Sequence, residues 1–341
     1  MPQGTDISEN RLFQLYPDTL LKLLEDHASK ANIYWATDSY SERGDGYQFF
    51  DPITIEKITG KNEHIIRPRA LKSKTERIGR TKDKAEVFTP SWVCNAQNNQ
   101  VDDRWFGTPY IFNIQDTENN TWLPTTEKIT FPTANGKSWK DYVCDTRLEI
   151  TCGEAPYLAS RYDVTTGLAI PLHCRIGILD RKLRVVNENA ATADEWLLWA
   201  YAALKSTYGF EWQGDNLLLA RETLLITFCD YFEAFAKEKN LDSKELSPSC
   251  LLHAAYIISW NLFQMDGLKM VLPLTCKDTV SKETLSFYEE PKEKVTPCPG
   301  CDKQNVHKHN GIKQIVADWQ KDSWSIDERP ISVVEFHSLM P

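Results

Sequence analysis

The stretch of the chain that says most about chemistry is Arg147–Leu158, which reads Arg-Leu-Glu-Ile-Thr-Cys-Gly-Glu-Ala-Pro-Tyr-Leu. This pattern predicts a short strand, a tight turn and the start of a helix. Glu149 lies four positions before Gly153, and the small residue Ala155 follows two positions later. Small residues at such a turn let the loop backbone approach a nucleotide-like ligand closely, although an ordinary strand and turn contain the same residue types.

Two further carboxylates follow apolar segments of the kind that form buried strands. Glu211 comes at the end of a segment that predicts a second strand, where a carboxylate can accept both hydroxyls of a ribose. Asp266 comes just after the apolar segment Ile258–Phe263, and it can accept an exocyclic amine of adenine. The alternatives are a solvated glutamate at a strand end and a simple Asp-Gly turn.

A second candidate site is a cysteine–histidine cluster near the end of the chain. Cys298 and Cys301 form a Cys-x-x-Cys knuckle, and His307 and His309 follow six and eight residues later. Two thiolates and two imidazoles can complete a tetrahedral zinc site. The alternative is a pair of reduced thiols in a turn, with two solvated histidines. A thioredoxin-like redox pair is disfavoured, because the motif lies in a charged, proline-rich region.

The surrounding sequence predicts the elements that must position these residues. A helix begins at Pro17, and the region that follows Arg147 alternates helix and strand patterns. A segment rich in Asn, Thr and Trp predicts an irregular insertion, and a later charged, proline-containing segment predicts a surface excursion. The predicted segments are an irregular insertion (92–145), a helix (196–205), a strand (208–211), a long amphipathic helix (217–239), a helix or helix-then-strand (251–263) and the excursion (282–308).

The composition restricts the classes of function. The 341 residues carry a formal net charge of −9, so any nucleic-acid contact must come from a local patch. Residues 67–84 hold the one basic concentration, and they predict either a DNA contact or a solvated linker. The sequence contains neither an apolar run of membrane-spanning length nor a signal-peptide core, and nine cysteines fit reduced thiols. We therefore expect a cytoplasmic protein without membrane partners.

In their order along the chain, these segments resemble adenine-N6 DNA methyltransferases of restriction–modification systems, in which a Phe-Thr-Pro motif precedes the cofactor loop. The likeness is greatest to modification subunits, and it covers roughly residues 80–270. It implies a Rossmann-like α/β core that uses S-adenosylmethionine, with an N-terminal extension and insertions. It places Phe88, Thr89 and Pro90 at the N-terminal cofactor motif, Glu149, Cys152 and Gly153 at the methionine-binding loop, Glu211 at the ribose and Asp266 at the adenine.

The chain departs from that family in two ways. Ala155 stands where the methionine loop normally has a second glycine. The Asn/Asp-Pro-Pro-Tyr/Phe tetrapeptide that holds the target adenine does not follow Asp266, and Pro-Pro occurs nowhere in the sequence. The resemblance therefore implies a cofactor-binding half without its catalytic and base-reading half, and no catalytic residue is assigned.

Two functions remain open at this point. The first is a DNA adenine-methyltransferase homologue that is inactive alone and needs a partner subunit of a restriction–modification system. The second is a non-catalytic binding protein in restriction, anti-restriction or phage defence. Both share one predicted organisation: an N-terminal extension with the basic segment (1–85), a cofactor-binding core (86–275) and a C-terminal segment with a zinc clip (276–341).

Overall fold

The computed structural model describes residues 6–84, 87, 89–133, 136–242, 245–283, 292–319, 330 and 332–339. These residues combine helices with small sheets, as the α/β prediction requires. The helices predicted from Pro17 and over 196–205 are confirmed. The α-helices are α1 (Glu9–Leu15), α2 (Pro17–Leu24), α3 (Ile55–Ile58), α4 (Lys74–Lys84), α5 (Ser91–Phe106), α6 (Trp139–Val143), α7 (Ile178–Asn189), α8 (Ala193–Lys205), α9 (Gly214–Lys239), α10 (Pro248–Asn261) and α11 (Pro299–Lys303).

The strands form one parallel sheet and several antiparallel pairs. The antiparallel pairs are β1 with β2, β3 with β4, β8 with β9 and β10 with β11. The parallel sheet has the order β5-β6-β7. The strands are β1 (Glu25–Asp26), β2 (Ala31–Asn32), β3 (Asn113–Asp116), β4 (Thr121–Pro124), β5 (Arg147–Glu149), β6 (Thr207–Glu211), β7 (Leu262–Gln264), β8 (Thr279–Glu283), β9 (Lys292–Thr296), β10 (Ile315–Asp318) and β11 (Ser332–Glu335).

The parallel sheet brings the predicted cofactor residues to one edge. Helices α7 and α8 connect β5 to β6, and helices α9 and α10 connect β6 to β7, so each connection contains helix. All three strands therefore point the same way, and their carboxyl ends meet at one edge, where ligands of α/β proteins bind. The strand at 208–211 and the helix-then-strand at 251–263 are confirmed. A Rossmann-like methyltransferase core stays a prediction.

Helix α9 is the centre of the core. Residues 214–229 of this helix are all buried, on every side, so the prediction of an amphipathic helix was wrong in this respect. The helix is surrounded by other elements, and the indole of Trp196 packs edge-on against Phe228 and Phe232 at 5.1 and 5.0 Å between ring centroids. Polar residues are buried with the apolar ones and need partners inside the protein: Asp215 pairs with Arg80, and Arg221 donates to the Leu262 carbonyl.

The N-terminal segment packs on the same core and covers the edge of the sheet. Helix α2 packs against α10, and Trp35 is fully buried. The side-chain amide of Gln264, at the end of β7, donates to the carbonyl oxygens of Tyr34 (2.8 Å) and Trp212 (2.9 Å) and accepts from the Tyr34 N–H (3.1 Å). One core cluster contains buried residues from all three of the predicted segments.

Gly214 tests how tightly the N-terminal segment is held, because a Cβ there would lie 2.1 Å from the carbonyl oxygen of Tyr34. We expect Gly214→Ala to lower the free energy of unfolding by about 1–3 kcal/mol. The added methyl group would clash with a backbone atom, which cannot move aside as a flexible side chain can. Gly79 is the matched control: it is also helical, and a Cβ there meets nothing within 4 Å. Gly79→Ala should raise stability by roughly 0.5–1 kcal/mol. Urea denaturation measures the free energy of unfolding of both variants. Equal changes in the two variants would contradict the close packing described at Gly214.

The prediction of an irregular insertion over residues 92–145 was wrong. Helix α5, the β3–β4 hairpin and helix α6 fall in this range. The polar residues that indicated a loop instead satisfy a buried guanidinium: Arg181 donates to Asp102 (2.5 Å), Asn99 (2.7 Å) and Asn95 (2.9 Å). A buried charge needs such partners, so an Asn-rich helix here faces the interior rather than the solvent.

The end of the chain contains more regular structure than the predicted surface excursion. Strands β8 and β9 pair from Thr279↔Thr296 to Glu283↔Lys292, and helix α11 follows directly. Within the described part of the chain, no helix combines the length and the apolar character that a membrane span requires.

Candidate cofactor pocket and metal centre

A cavity of about 700 Å³ opens at the carboxyl ends of β5 and β6. Glu149 ends β5 and lies opposite Gly209 of the neighbouring strand, and Glu211 ends β6 two residues further on. Both glutamates line the cavity. Its walls are formed by Ala36, Phe49, Lys82, Val87, Thr89, Glu149, Ile150, Thr151, Cys152, Gly153, Pro156, Tyr157, Glu211, Trp212, Gln213 and Asn216.

The loop after β5 has an unusual backbone. Thr151, Gly153 and Ala155 all have positive φ angles, of 48°, 55° and 62°. This alternation prevents the predicted helix start, and the next α-helix is α7, which begins at Ile178. A β-branched residue in the left-handed region is strained, and such strain concentrates at functional sites. Alternating conformations of this kind also turn backbone N–H groups toward one side.

Glu211 joins the loop to the second strand. Its carboxylate accepts from the Gly153 N–H (2.9 Å) and from the Gln213 N–H (3.2 Å), and the Cys152 N–H donates to the Phe210 carbonyl (2.8 Å). Burial raises the pKa of the Cys152 thiol well above its ordinary value, which disfavours the thiolate form that a nucleophilic cysteine needs. The loop and β6 therefore hold each other in place beneath the cavity.

Glu149 presents an unmet acceptor to the cavity. Its Oε1 accepts from the Tyr157 N–H at 3.4 Å, whereas its Oε2 is buried and has no hydrogen-bond partner among the described residues. Burial raises the pKa of Glu149 well above its ordinary value, and the nearby Glu211 raises it further. An unpaired buried carboxyl is costly, so this position favours a ligand that brings a hydrogen-bond donor or a positive charge.

The segment predicted as the N-terminal cofactor motif reaches the same cavity at Thr89. Thr89 lines the cavity, Pro90 is the N-cap residue of α5, and Phe88 lies outside the described residues. The first N–H of that helix, from Ser91, donates to the carboxylate of Asp163 at 2.7 Å. A remote aspartate thus serves as the cap and fixes the backbone next to Thr89 at the cavity.

Several wall residues were not predicted. Trp212 follows Glu211 directly, and its indole N–H donates to the Ala36 carbonyl at 3.1 Å. Ala36 and Phe49 come from the N-terminal segment, which the sequence gives no reason to place here. The position of Trp212 directly after the strand could have indicated its role. Ala36 and Phe49 could not be predicted, because their place in the cavity wall depends on how the N-terminal segment folds back across the sheet.

Asp266 is not among the residues that line the cavity. Its carboxylate accepts from the N–H groups of Leu268 (3.0 Å) and Lys269 (3.2 Å), and its own N–H donates to the Val271 carbonyl (2.8 Å). These are the contacts of an Asp-Gly turn, which was the alternative interpretation. A role of Asp266 at an adenine stays a prediction.

A second cluster brings together four residues that can hold a metal ion: Cys276, Cys298, Cys301 and His309. The Nδ1 atom of His309 lies 3.5, 3.7 and 3.6 Å from the sulfurs of Cys276, Cys298 and Cys301. A tetrahedral zinc ion with ordinary bond lengths requires S···N separations of about 3.6 Å. The S···N separations therefore fit a tetrahedral zinc ion, and all four ligand atoms lie within 4.8 Å of one another.

The structure does not place His307 in this cluster, and it adds Cys276, which was not predicted. His307 lies in the short turn Val306–Lys308, is exposed, and its ring lies 5.3 Å from the ring of His337. Cys276 belongs to the cluster because the β8–β9 hairpin brings its ends together, which places residues 276 and 298 side by side at its base. No local spacing reveals such a ligand, since the length of an intervening hairpin is variable.

The backbone around Cys298 supports a thiolate. The Asn310 N–H donates to its sulfur at 3.3 Å. Burial raises the pKa of the Cys298 thiol, but the N–H groups of Asn310 and Cys301 outweigh it, and the pKa falls to about 6. Gly300 allows the close approach, because a Cβ there would lie 2.5 Å from the His309 ring. The knuckle is therefore built around that imidazole.

The basic segment 67–84 forms a short turn and helix α4 and is docked on the core rather than extended as a linker. Arg80 is buried, and its guanidinium contacts Asp215 (2.8 Å) and Gln213 (2.8 Å) at the start of α9. Lys82, on the same helix, is exposed and lines the cofactor cavity. Part of the positive charge is thus structural, and part faces the candidate site.

The chain matches no protein-family model, and no curated protein or solved structure matches it. The positions of side chains around the cavity and the cysteine cluster therefore carry the functional inference.

Proposed function

We propose that the chain binds S-adenosylmethionine, or its demethylated product, in the cavity at the ends of β5 and β6. The observation that carries the proposal is the convergence of Thr89, the loop residues 149–153 and Glu211 on that one cavity. The parallel strands account for the meeting of Glu149 with Glu211, whereas nothing in the order of the segments requires Thr89 to lie beside them. The volume of about 700 Å³ falls within the usual range for small-molecule sites.

The chemistry of the walls matches the parts of this cofactor. Its sulfonium and α-ammonium groups are positive, and the cavity offers the carboxyl groups of Glu149 and Glu211. The unpartnered Oε2 of Glu149 can accept from an ammonium group, and Glu211 at the end of the second strand can accept ribose hydroxyls. Trp212 and Phe49 supply aromatic surface for a base.

Replacing Glu211 tests the assignment directly. We expect Glu211→Ala to weaken S-adenosylmethionine binding by roughly 1–3 kcal/mol, because ribose hydroxyls and the Gly153 N–H lose their acceptor. Glu238→Ala is the control, since this side chain is 66% exposed on α9. Calorimetric titration measures both, with thermal melting to check the fold. Equal affinity of the two variants would contradict the assignment of Glu211.

We also propose that the four-residue cluster holds one zinc ion in a structural role. All four tetrahedral positions are filled by protein atoms, whereas a catalytic zinc keeps one position for water or substrate. The ion would hold the base of the β8–β9 hairpin, the knuckle at 298–301 and the residue His309 together. This segment has little apolar core of its own, which is the setting in which metals replace packing.

For the whole protein we propose a DNA adenine-methyltransferase homologue of a restriction–modification system that is inactive alone. The supporting observations are the cofactor cavity and the missing tetrapeptide after Asp266. A partner subunit would then supply the acceptor motif, and α4 with its neighbours would contact DNA. The alternative is a non-catalytic binding protein in restriction, anti-restriction or phage defence. Methyl transfer that appears only with a partner chain favours the first over the second.

A further inference from the structure

A second cavity, of about 260 Å³, lies beside α4. Helix α4 separates it from the cofactor cavity, because Gly79 and Arg80 line one and Lys82 lines the other. The polar side chains in the walls of the smaller cavity are Ser39, Tyr40, Arg67, Lys72, Glu76 and Arg80.

The charges in these walls leave one cation without a hydrogen-bonded anion. Arg80 pairs with Asp215 at 2.8 Å, and Arg67 pairs with Glu76 at 3.1 Å. The ammonium of Lys72 is 5% exposed and lies 3.8 Å from the nearest carboxylate oxygen, Oδ2 of Asp215. It has no hydrogen-bond partner in the described part of the chain.

Asp215 lies beyond hydrogen-bond distance of Lys72: its Oδ1 is buried without a hydrogen-bond partner among the described residues, and its Oδ2 is already engaged. That oxygen accepts from the Tyr40 hydroxyl at 2.8 Å and from Arg80 at 2.8 Å. The Nε of Arg67 is also without an acceptor among the described residues. A buried ammonium and a guanidinium N–H that share a cavity and lack acceptors form a site for an anion with several oxygens.

We propose that this cavity binds a phosphate group, held by Lys72 and Arg67. Phosphate offers oxygens to both cations at once, and it fits a cavity of this size. The group comes either from free phosphate or from a nucleic-acid backbone. The second source rests on the proposed function, and it places a DNA strand beside α4, across that helix from the cofactor cavity.

The test uses the full chain and three variants. Lys72→Met removes the charge and keeps the length of the side chain, and Arg67→Gln is a second variant at a more exposed position. Lys74→Met is the matched control, because Lys74 is exposed on α4 and does not line the cavity. The probes are inorganic phosphate, followed by calorimetry, and a fluorescent 20-base-pair duplex, followed by anisotropy over a range of sodium chloride concentrations.

We expect Lys72→Met and Arg67→Gln to weaken phosphate binding tenfold or more, and Lys74→Met to change it less than twofold. If the source is a nucleic-acid backbone, Lys72→Met also weakens duplex binding and lowers the salt slope by about 1. Loss of phosphate binding with unchanged duplex binding assigns the site to free phosphate.

Phosphate and duplex affinities that are the same in Lys72→Met and Lys74→Met, or no phosphate binding by the wild type, would overturn the proposal. Titration of Lys72→Met with S-adenosylmethionine separates this failure from failure of the proposed function, since Lys72 does not line the cofactor cavity.

Discussion

We expect Cys276→Ser to remove the zinc that the proposed site holds in the purified chain, and His307→Asn to leave the zinc content at about one ion per chain. The geometry behind this result is the 3.5 Å separation of the Cys276 sulfur from Nδ1 of His309, with His307 exposed on the outer side of its turn. Loss of a direct ligand should cost more than the roughly 10–100-fold in affinity that an outer partner costs.

Elemental analysis after dialysis against a weak chelator measures this difference. Cys301→Ser should behave like Cys276→Ser, because both sulfurs lie at the same distance from the imidazole within 0.1 Å. Removal of the metal should also lower the stability of the 292–312 region, since binding energy of a structural zinc is folding energy. Zinc lost in His307→Asn and retained in Cys276→Ser would contradict the assignment of the ligands.

The second large effect concerns methyl transfer: we expect the isolated chain not to methylate adenine in DNA. Transfer to the exocyclic nitrogen requires acceptors that hold the amine and an aromatic that stacks on the flipped base. After Asp266 the described chain instead turns back at Val271 and continues to Cys276, which belongs to the cysteine–histidine cluster. Without positioned acceptors, an orientation contribution of roughly 7 kcal/mol or more is lost, which is on the order of 10⁵-fold in rate.

Incubation with radiolabelled cofactor and mixed-sequence DNA measures methyl transfer. The chain is assayed alone and together with the proteins encoded beside it. The same preparation must bind S-adenosylmethionine, so that a failure to transfer is separated from a failure to bind. Label incorporated by the chain alone would show that it contains acceptor residues of another kind. Label that appears only with a partner supports the split-subunit form of the proposal.

The sequence predicted the residues at the sheet edge better than it predicted their surroundings. Glu149 and Glu211 each end a strand, and because parallel neighbours share an edge, the order of the segments was enough to bring them together. The strain at Thr151 and the long excursion before α7 were not predictable, since Ala155 and Pro156 resemble a helix start. Their conformations depend on contacts with β6.

Long-range partners account for the other differences. Helix α5 was missed because its Asn residues face Arg181, which lies more than 70 residues away in the sequence. Cys276 was missed because a hairpin separates it from the knuckle. The contribution of Ala36 and Phe49 to the cavity wall was missed because their segment is held at the sheet edge by a hydrogen bond from Gln264 to Tyr34. These two residues are 230 positions apart in the sequence. In each case the local sequence shows the type of side chain, but its contact partners are determined by the tertiary fold.

Calorimetric titration of the wild-type chain with S-adenosylmethionine tests the central claim most directly, with ATP as a control that shares the adenosine but carries negative charge. The carboxyl groups of Glu149 and Glu211 favour the positively charged cofactor, so we predict one binding site for S-adenosylmethionine and none for ATP. No heat and no binding at millimolar cofactor, or equal binding of ATP, would contradict the claim that this cavity is a cofactor site.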